Sequence, residues 1–163
     1  MKFYLSSYGL GNETEKLKKL VTKGKIGYIP NARDFTGADP ERRAKRNDND
    51  MGSLRALGLE VELVDLRNYF GKQDELKNKL AELGAILISG GNVFVLRQAM
   101  KLSGLDEILK ELLNTDFLYA GYSAAGCVLA PDLKGMELVN PLDIPSRSLI
   151  CAGLVQKFDK IIH

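Results

Sequence analysis

Short β-rich runs alternate with longer stretches of helical spacing along most of the chain, and that alternation restricts the fold to a mostly parallel sheet covered by helices. Ala85-Ile86-Leu87-Ile88-Ser89 is apolar almost throughout, as a strand buried on both faces must be. Residues 60–66 alternate apolar with charged positions, which suits a sheet edge better than its centre. Further strands are expected at 3–7, 25–29 and 117–120, and helices at 13–21, 40–57, 73–83, 93–101 and 105–114. Beyond Pro131 the pattern weakens. There 136–139 reads as a strand, 140–148 as a loop and 154–162 as a last strand. The expected architecture is an α/β three-layer αβα sandwich.

A length of 163 residues fits one domain, 1–163, and 45% hydrophobic residues supply a core without staples. With 23 Lys plus Arg against 21 Asp plus Glu, the net charge of +2 leaves no footprint for nucleic acid. No apolar run approaches the ~20 residues of a membrane span and residues 1–3 open straight into a strand, so no membrane partner is expected and the default location is cytoplasmic. Cys127 and Cys151 read as reduced, buried small residues, and a single imidazole, His163, argues against a zinc site. The basic run Arg42-Arg43-Ala44-Lys45-Arg46 reads as a solvated helix face, and Asn31, Arg33 and Asp34 as a polar loop at the carboxyl edge of the sheet, with pocket lining as the alternative.

Chemistry concentrates at Gly121-Tyr122-Ser123-Ala124-Ala125-Gly126, where a strand runs directly into a short helix. A serine on such a corner is pushed out of the sheet, small neighbours relieve the crowding, and the helix N-terminus offers free N–H groups. The alternative is that Ser123 only caps the helix. Ser89-Gly90-Gly91-Asn92 ends the preceding buried strand and should face the same side, so the Gly91 N–H is a candidate second oxyanion donor beside that of Ala124, with a plain turn as the alternative.

A serine nucleophile needs a base, and His163 is the one imidazole in the chain. A terminal histidine is ordinarily a frayed surface residue. For the orienting acid the options are Asp132, Glu137 and Asp143, each of which has a solvated reading; Glu137 is preferred because it starts a strand-like run.

Gly27-Tyr28-Ile29-Pro30-Asn31-Ala32, 57–61 with Asp65-Leu66, Ser89-Gly90-Gly91-Asn92-Val93-Phe94 and Gly121-Tyr122-Ser123-Ala124, in this order and spacing, resemble the peptidase E and cyanophycinase family of serine hydrolases. The resemblance implies a class I glutamine amidotransferase-like fold, a Ser123 nucleophile, oxyanion donors at Gly91 and Ala124, and no metal or organic cofactor. It also implies cleavage of short peptides, in the best-known members after an N-terminal aspartate. Gly153-Leu154-Val155 through Ile161-Ile162-His163 looks like the family segment that leads to the catalytic histidine.

The chain departs from the family at Ala125, where glycine is usual, and at Ile162, where proline commonly precedes the histidine. It is expected to be shortened at its carboxyl end. The expected partner is a small peptide, with a homodimer left open. The competing expectations are a degenerate binding module of the same fold and a hydrolase of a non-peptide ester or amide.

Overall fold

The computed structural model describes residues 1–35 and 39–140. The strands β1 (Lys2–Ser6), β2 (Lys25–Ile29), β3 (Glu60–Leu63), β4 (Ala85–Ile88) and β5 (Leu118–Tyr122) form one five-stranded sheet in the order β1-β5-β4-β2-β3. Every pairing is parallel. The helices are α1 (Thr14–Leu20), α2 (Pro40–Ala56), α3 (Gln73–Leu83), α4 (Val93–Ser103), α5 (Leu105–Glu111) and α6 (Ala124–Cys127).

The period-2 alternation of the strands sorts their side chains into two cores. On one face Ile86, Ile88 and Tyr119 pack with Leu76, Leu80 and Leu83 of α3 and with the apolar residues of α4, α5 and α6. On the other, Tyr28, Leu87 and Ala120 pack with Leu17 of α1 and Leu54 of α2. The result is the three-layer αβα sandwich that the alternation predicts. β4 and β5 are buried at every position. β3, exposed at Glu60, Glu62 and Leu63, forms an edge, as its charged alternation requires.

Polar caps set the starts of α2 and α4. The Asp39 carboxylate accepts the Glu41 and Arg42 N–H groups at 2.9 and 3.2 Å, with Pro40 in the first turn. The Asn92 side chain accepts those of Phe94 and Val95 at 2.9 and 3.2 Å.

Several elements differ from the sequence expectation for local reasons. β3 stops at Leu63 because the Asp65 side chain accepts the Arg67 N–H and starts a 3-10 turn, Leu66–Tyr69. β5 continues to Tyr122 because β1 pairs with it as far as Ser6. The loop after β2 begins as a 3-10 turn, Asn31–Arg33. The strand expected at 136–139 is a 3-10 turn, Met136–Leu138, with Leu138 and Val139 exposed and no strand beside them among the described residues. Cys127 is a free, half-buried thiol rather than a fully buried one. The loop beyond 140, the strand expected at 154–162, Cys151 and His163 lie outside the described residues.

Candidate active site

The site grows from two adjacent strands. β4 and β5 run parallel with Ile88 opposite Gly121, so their following turns leave the carboxyl edge of the sheet side by side. A Cβ built on Gly121 would stand 2.4 Å from Ala125 Cβ and 2.9 Å from the Ile88 carbonyl oxygen. Only glycine therefore lets α6 close onto β5, and the Ala125 methyl fills the space above it.

Immediately beyond, Ser123 has φ 52° and ψ −112°, and among the described residues it alone combines a side chain with positive φ. Such a conformation costs on the order of 1–3 kcal/mol and persists only where surrounding structure enforces it. Here the Ser123 N–H donates to the Ser6 carbonyl at 3.2 Å, while its own carbonyl accepts the Gly126 and Cys127 N–H groups at 2.9 and 3.1 Å. The side chain is exposed and makes no capping hydrogen bond to α6, so capping does not account for the serine.

The neighbouring turn is equally crowded. A Cβ on Gly91 would lie 2.2 Å from the Ala32 carbonyl oxygen, the same atom that accepts the Asn92 N–H at 2.7 Å. Among the described residues neither the Gly91 nor the Ala124 N–H has a hydrogen-bond partner. Ser89, in the same motif, is fully buried, its Oγ has no hydrogen-bond partner among the described residues, and it does not line the cavity.

Gly90, Gly91, Tyr122 and Ser123 form one wall of a cavity of about 370 Å3, toward the small end of the ~300–1,000 Å3 range for ligand pockets. The loop Ser7-Tyr8-Gly9 after β1, Arg33 and Phe35 after β2, and Arg46, Asn49 and Asp50 of α2 complete it. Beneath lies a dense polar network. Arg33 donates through Nη1 to the Tyr28 hydroxyl at 2.8 Å and to Asn47 Oδ1 at 2.6 Å. Through Nη2 it donates to Asp50 Oδ2 at 2.8 Å and to the Tyr122 hydroxyl.

The same Asp50 oxygen accepts from Tyr28 at 2.8 Å and Tyr122 at 2.7 Å. Burial works against the Arg33 charge, but Tyr28, Tyr122 and Asp50 more than compensate and hold the guanidinium above its ordinary pKa. Burial, reinforced by Asp50, pushes the Tyr122 hydroxyl up, against the opposing pull of Arg33 and the Gly90 amide.

The basic run of α2 is thus not wholly a solvated face. Arg43 pairs with Asp34 at 2.8 Å, and exposed Arg46 lines the cavity with no hydrogen-bond or ion-pair partner among the described residues. Tyr28, Asn47, Asp50 and Tyr122 are the network residues that sequence reasoning missed. A signal was present: Arg43, Asn47, Asp50 and Leu54 follow helical spacing and extend the buried Leu54 stripe as a polar one.

The structure brings Ser123 and Gly91 to one cavity with Ala124 directly after the serine, but it does not bring Glu137 there. Glu137 is exposed on the Met136–Leu138 turn and absent from the lining, so the strand that favoured it over Asp132 is missing; Asp132 is exposed too, and Asp143 lies outside the described residues. The segment does return toward the site, since Asn140 Oδ1 accepts the Val93 N–H at 3.1 Å at the head of α4. Among the described residues no group of three or more His, Cys, Asp or Glu could hold a metal ion, and no helix is long and apolar enough to cross a membrane.

A parallel αβα sheet that lifts an exposed serine on a strained strand-to-helix corner is the architecture on which serine hydrolases build a nucleophile elbow. The chain belongs to peptidase family S51, whose family model matches residues 9–158.

It is 33% identical over 88 residues to an uncharacterized peptidase of Listeria monocytogenes, covering 54% of this chain and 42% of the relative. It is 30% identical over 69 residues to one of Pasteurella multocida, covering 42% of this chain and 33% of the relative. The matches thus span less than half the length of these curated relatives. A crystal structure from Listeria monocytogenes that carries a provisional peptidase E name superposes with a TM-score of 0.67 at 23% identity, covering 87% of this chain and 68% of that one. That likeness shows the fold.

Proposed function

We propose that the chain is a cytoplasmic serine peptidase acting on short peptides. The observation that carries this reading is Ser123: exposed, held at positive φ, free of any capping role, and on the wall of a cavity it shares with the Gly90-Gly91 turn. In this reading Ser123 Oγ attacks the scissile carbonyl carbon as its proton passes to His163. The oxyanion is held by the Gly91 and Ala124 N–H groups, both without other partners among the described residues.

Collapse of the tetrahedral intermediate breaks the C–N bond, with the proton moving from His163 to the leaving amine. Water then hydrolyses the acyl-enzyme by the same route. This reading gives Glu137 no part, because it stands exposed outside the cavity lining, and it requires no cofactor. A substrate with an N-terminal aspartate is favoured by Arg46, a cation on the cavity wall with no partner among the described residues.

The test is covalent labelling by a fluorophosphonate, comparing the chain with Ser123→Ala and His163→Ala. Labelling should vanish in the first and slow by about 10²-fold or more in the second. A folded chain that never labels is a binding module. One that labels but cleaves no dipeptide, whatever its first residue, acts on another ester or amide.

A further inference from the structure

We propose that Tyr122 is a positioning residue: its hydroxyl, clamped by the Arg33–Asp50 pair, fixes its ring across Gly90 and so holds the serine corner and the Gly90-Gly91 turn in register. The proposal rests on the reading of Ser123 as nucleophile.

Tyr122 is the last residue of β5 and directly precedes Ser123. Strand alternation turns its side chain to the α1/α2 layer, opposite to the side on which Gly121 receives α6. Its ring lies so close to the next turn that a Cβ on Gly90 would stand 2.8 and 2.9 Å from Cε2 and Cδ2 of the ring, and 3.1 Å from Ser123 Cβ. Ring, glycine and serine therefore form one packed unit, and the two candidate oxyanion donors, Gly91 and Ala124, directly follow its glycine and its serine in the chain.

What stops this ring from rotating away is its hydroxyl, which donates to Asp50 Oδ2 at 2.7 Å and accepts from Arg33 Nη2. Arg33 in turn is spent on this task. Its four terminal N–H groups meet Tyr28, Asn47, Asp50 and Tyr122, so it acts as scaffold, with none of these four left for substrate. The pair is little exposed, with side chains at 10% and 19%, so its charge-assisted bonds are weakly screened.

Precision at this point matters. Oxyanion donors act only at about 2.7–3.1 Å, and a displacement of about 1 Å can cost 10²-fold in rate.

The network supplies its own comparison. Tyr28 also bonds Arg33 and Asp50 through its hydroxyl, but it stands on β2 and does not line the cavity. Tyr28→Phe and Tyr122→Phe each delete a hydroxyl that bonds Arg33 and Asp50, that of Tyr28 also reaching Asn47 Oδ1 at 3.2 Å, so Tyr28→Phe should lower the melting temperature at least as much as Tyr122→Phe. The labelling rate of the full chain, followed against fluorophosphonate concentration, separates the maximal rate from the half-saturating concentration. Tyr122→Phe should lower the maximal rate about tenfold or more, with half-saturation within about twofold, while Tyr28→Phe changes neither by more than about twofold.

Equal labelling by the two variants overturns the clamp and leaves the nucleophile reading standing. No labelling of the unmodified chain overturns both. Should Tyr122→Phe not melt cooperatively, Asp50→Asn with a neutral probe decides: a slower maximal rate supports the clamp, and an unchanged one overturns it.

Discussion

At the scale of the residue, Ser123 joins conformation to chemistry. Its φ of 52° and ψ of −112° store strain that glycine would not feel, and alanine would feel it as serine does. Ser123→Gly and Ser123→Ala both delete the hydroxyl, so the difference between them isolates the backbone. Strain relief of about 1–3 kcal/mol, less about 0.5–1 kcal/mol for glycine's greater unfolded-state freedom, should leave the glycine variant about 1 kcal/mol the more stable. Urea unfolding of the two measures it directly. Equal midpoints, or a more stable alanine variant, would mean that the corner stores no strain and that the exposed serine owes its place to something else.

At the scale of the element, the fit of α6 on β5 is a lock between one missing methyl group and one present. Gly121→Ala would drive a new Cβ against the Ala125 methyl at 2.4 Å and the Ile88 carbonyl at 2.9 Å. It should cost at least about 1–3 kcal/mol, as overpacking does. Adding Ala125→Gly removes the first clash and leaves the second, so the double variant should recover part of the loss, a coupling that a double-mutant cycle of unfolding free energies reads. Strict additivity would show that the two methyl positions do not meet.

The same corner shows what was legible in the sequence. Gly121, Ser123, Gly90 and Gly91 could be picked out because crowding at a strand end admits few residue types, and the sheet edge at β3 because charges cannot enter the centre. The network of Tyr28, Arg33, Asn47, Asp50 and Tyr122 was legible only in its α2 half, where helical spacing puts Asn47 and Asp50 on the Leu54 stripe; that this half meets β2, the turn after it and β5 was not, because no local spacing encodes which polar residues meet across a sheet. The segment at 136–139 misled for the opposite reason: two apolar residues in a row imply a strand only where another strand lies beside them, and among the described residues Leu138 and Val139 have none.

At the scale of the whole molecule, α2 is held over the cavity by a second polar assembly that ties it to β2 and β3. Asn31, fully buried, donates to Asp34 at 2.7 Å and Asp65 at 2.9 Å and accepts the Leu66 N–H at 2.9 Å. Arg43 of α2 closes on Asp34, and Arg67 on Asp65 and Asp34. Burial alone would raise the Asp65 carboxyl, but the bonds from Arg67 and Asn31 outweigh it and bring the pKa down to about 2.

Because this value lies below the ~3.9 of an unfolded aspartate, ionised Asp65 contributes stability above about pH 4, and the contribution disappears as acid carries the folded protein through about pH 2. With Arg67 half-exposed, the contribution is on the order of 1–2 kcal/mol rather than the full value of the shift. Asp65→Asn should therefore be less stable than the unmodified chain by that amount at pH 6. The gap should narrow through pH 4 and close near pH 2. Chemical denaturation at the three pH values tests this, and a gap that stays constant would show that the carboxylate's charge does not tie β3 to the loop on which α2 is anchored.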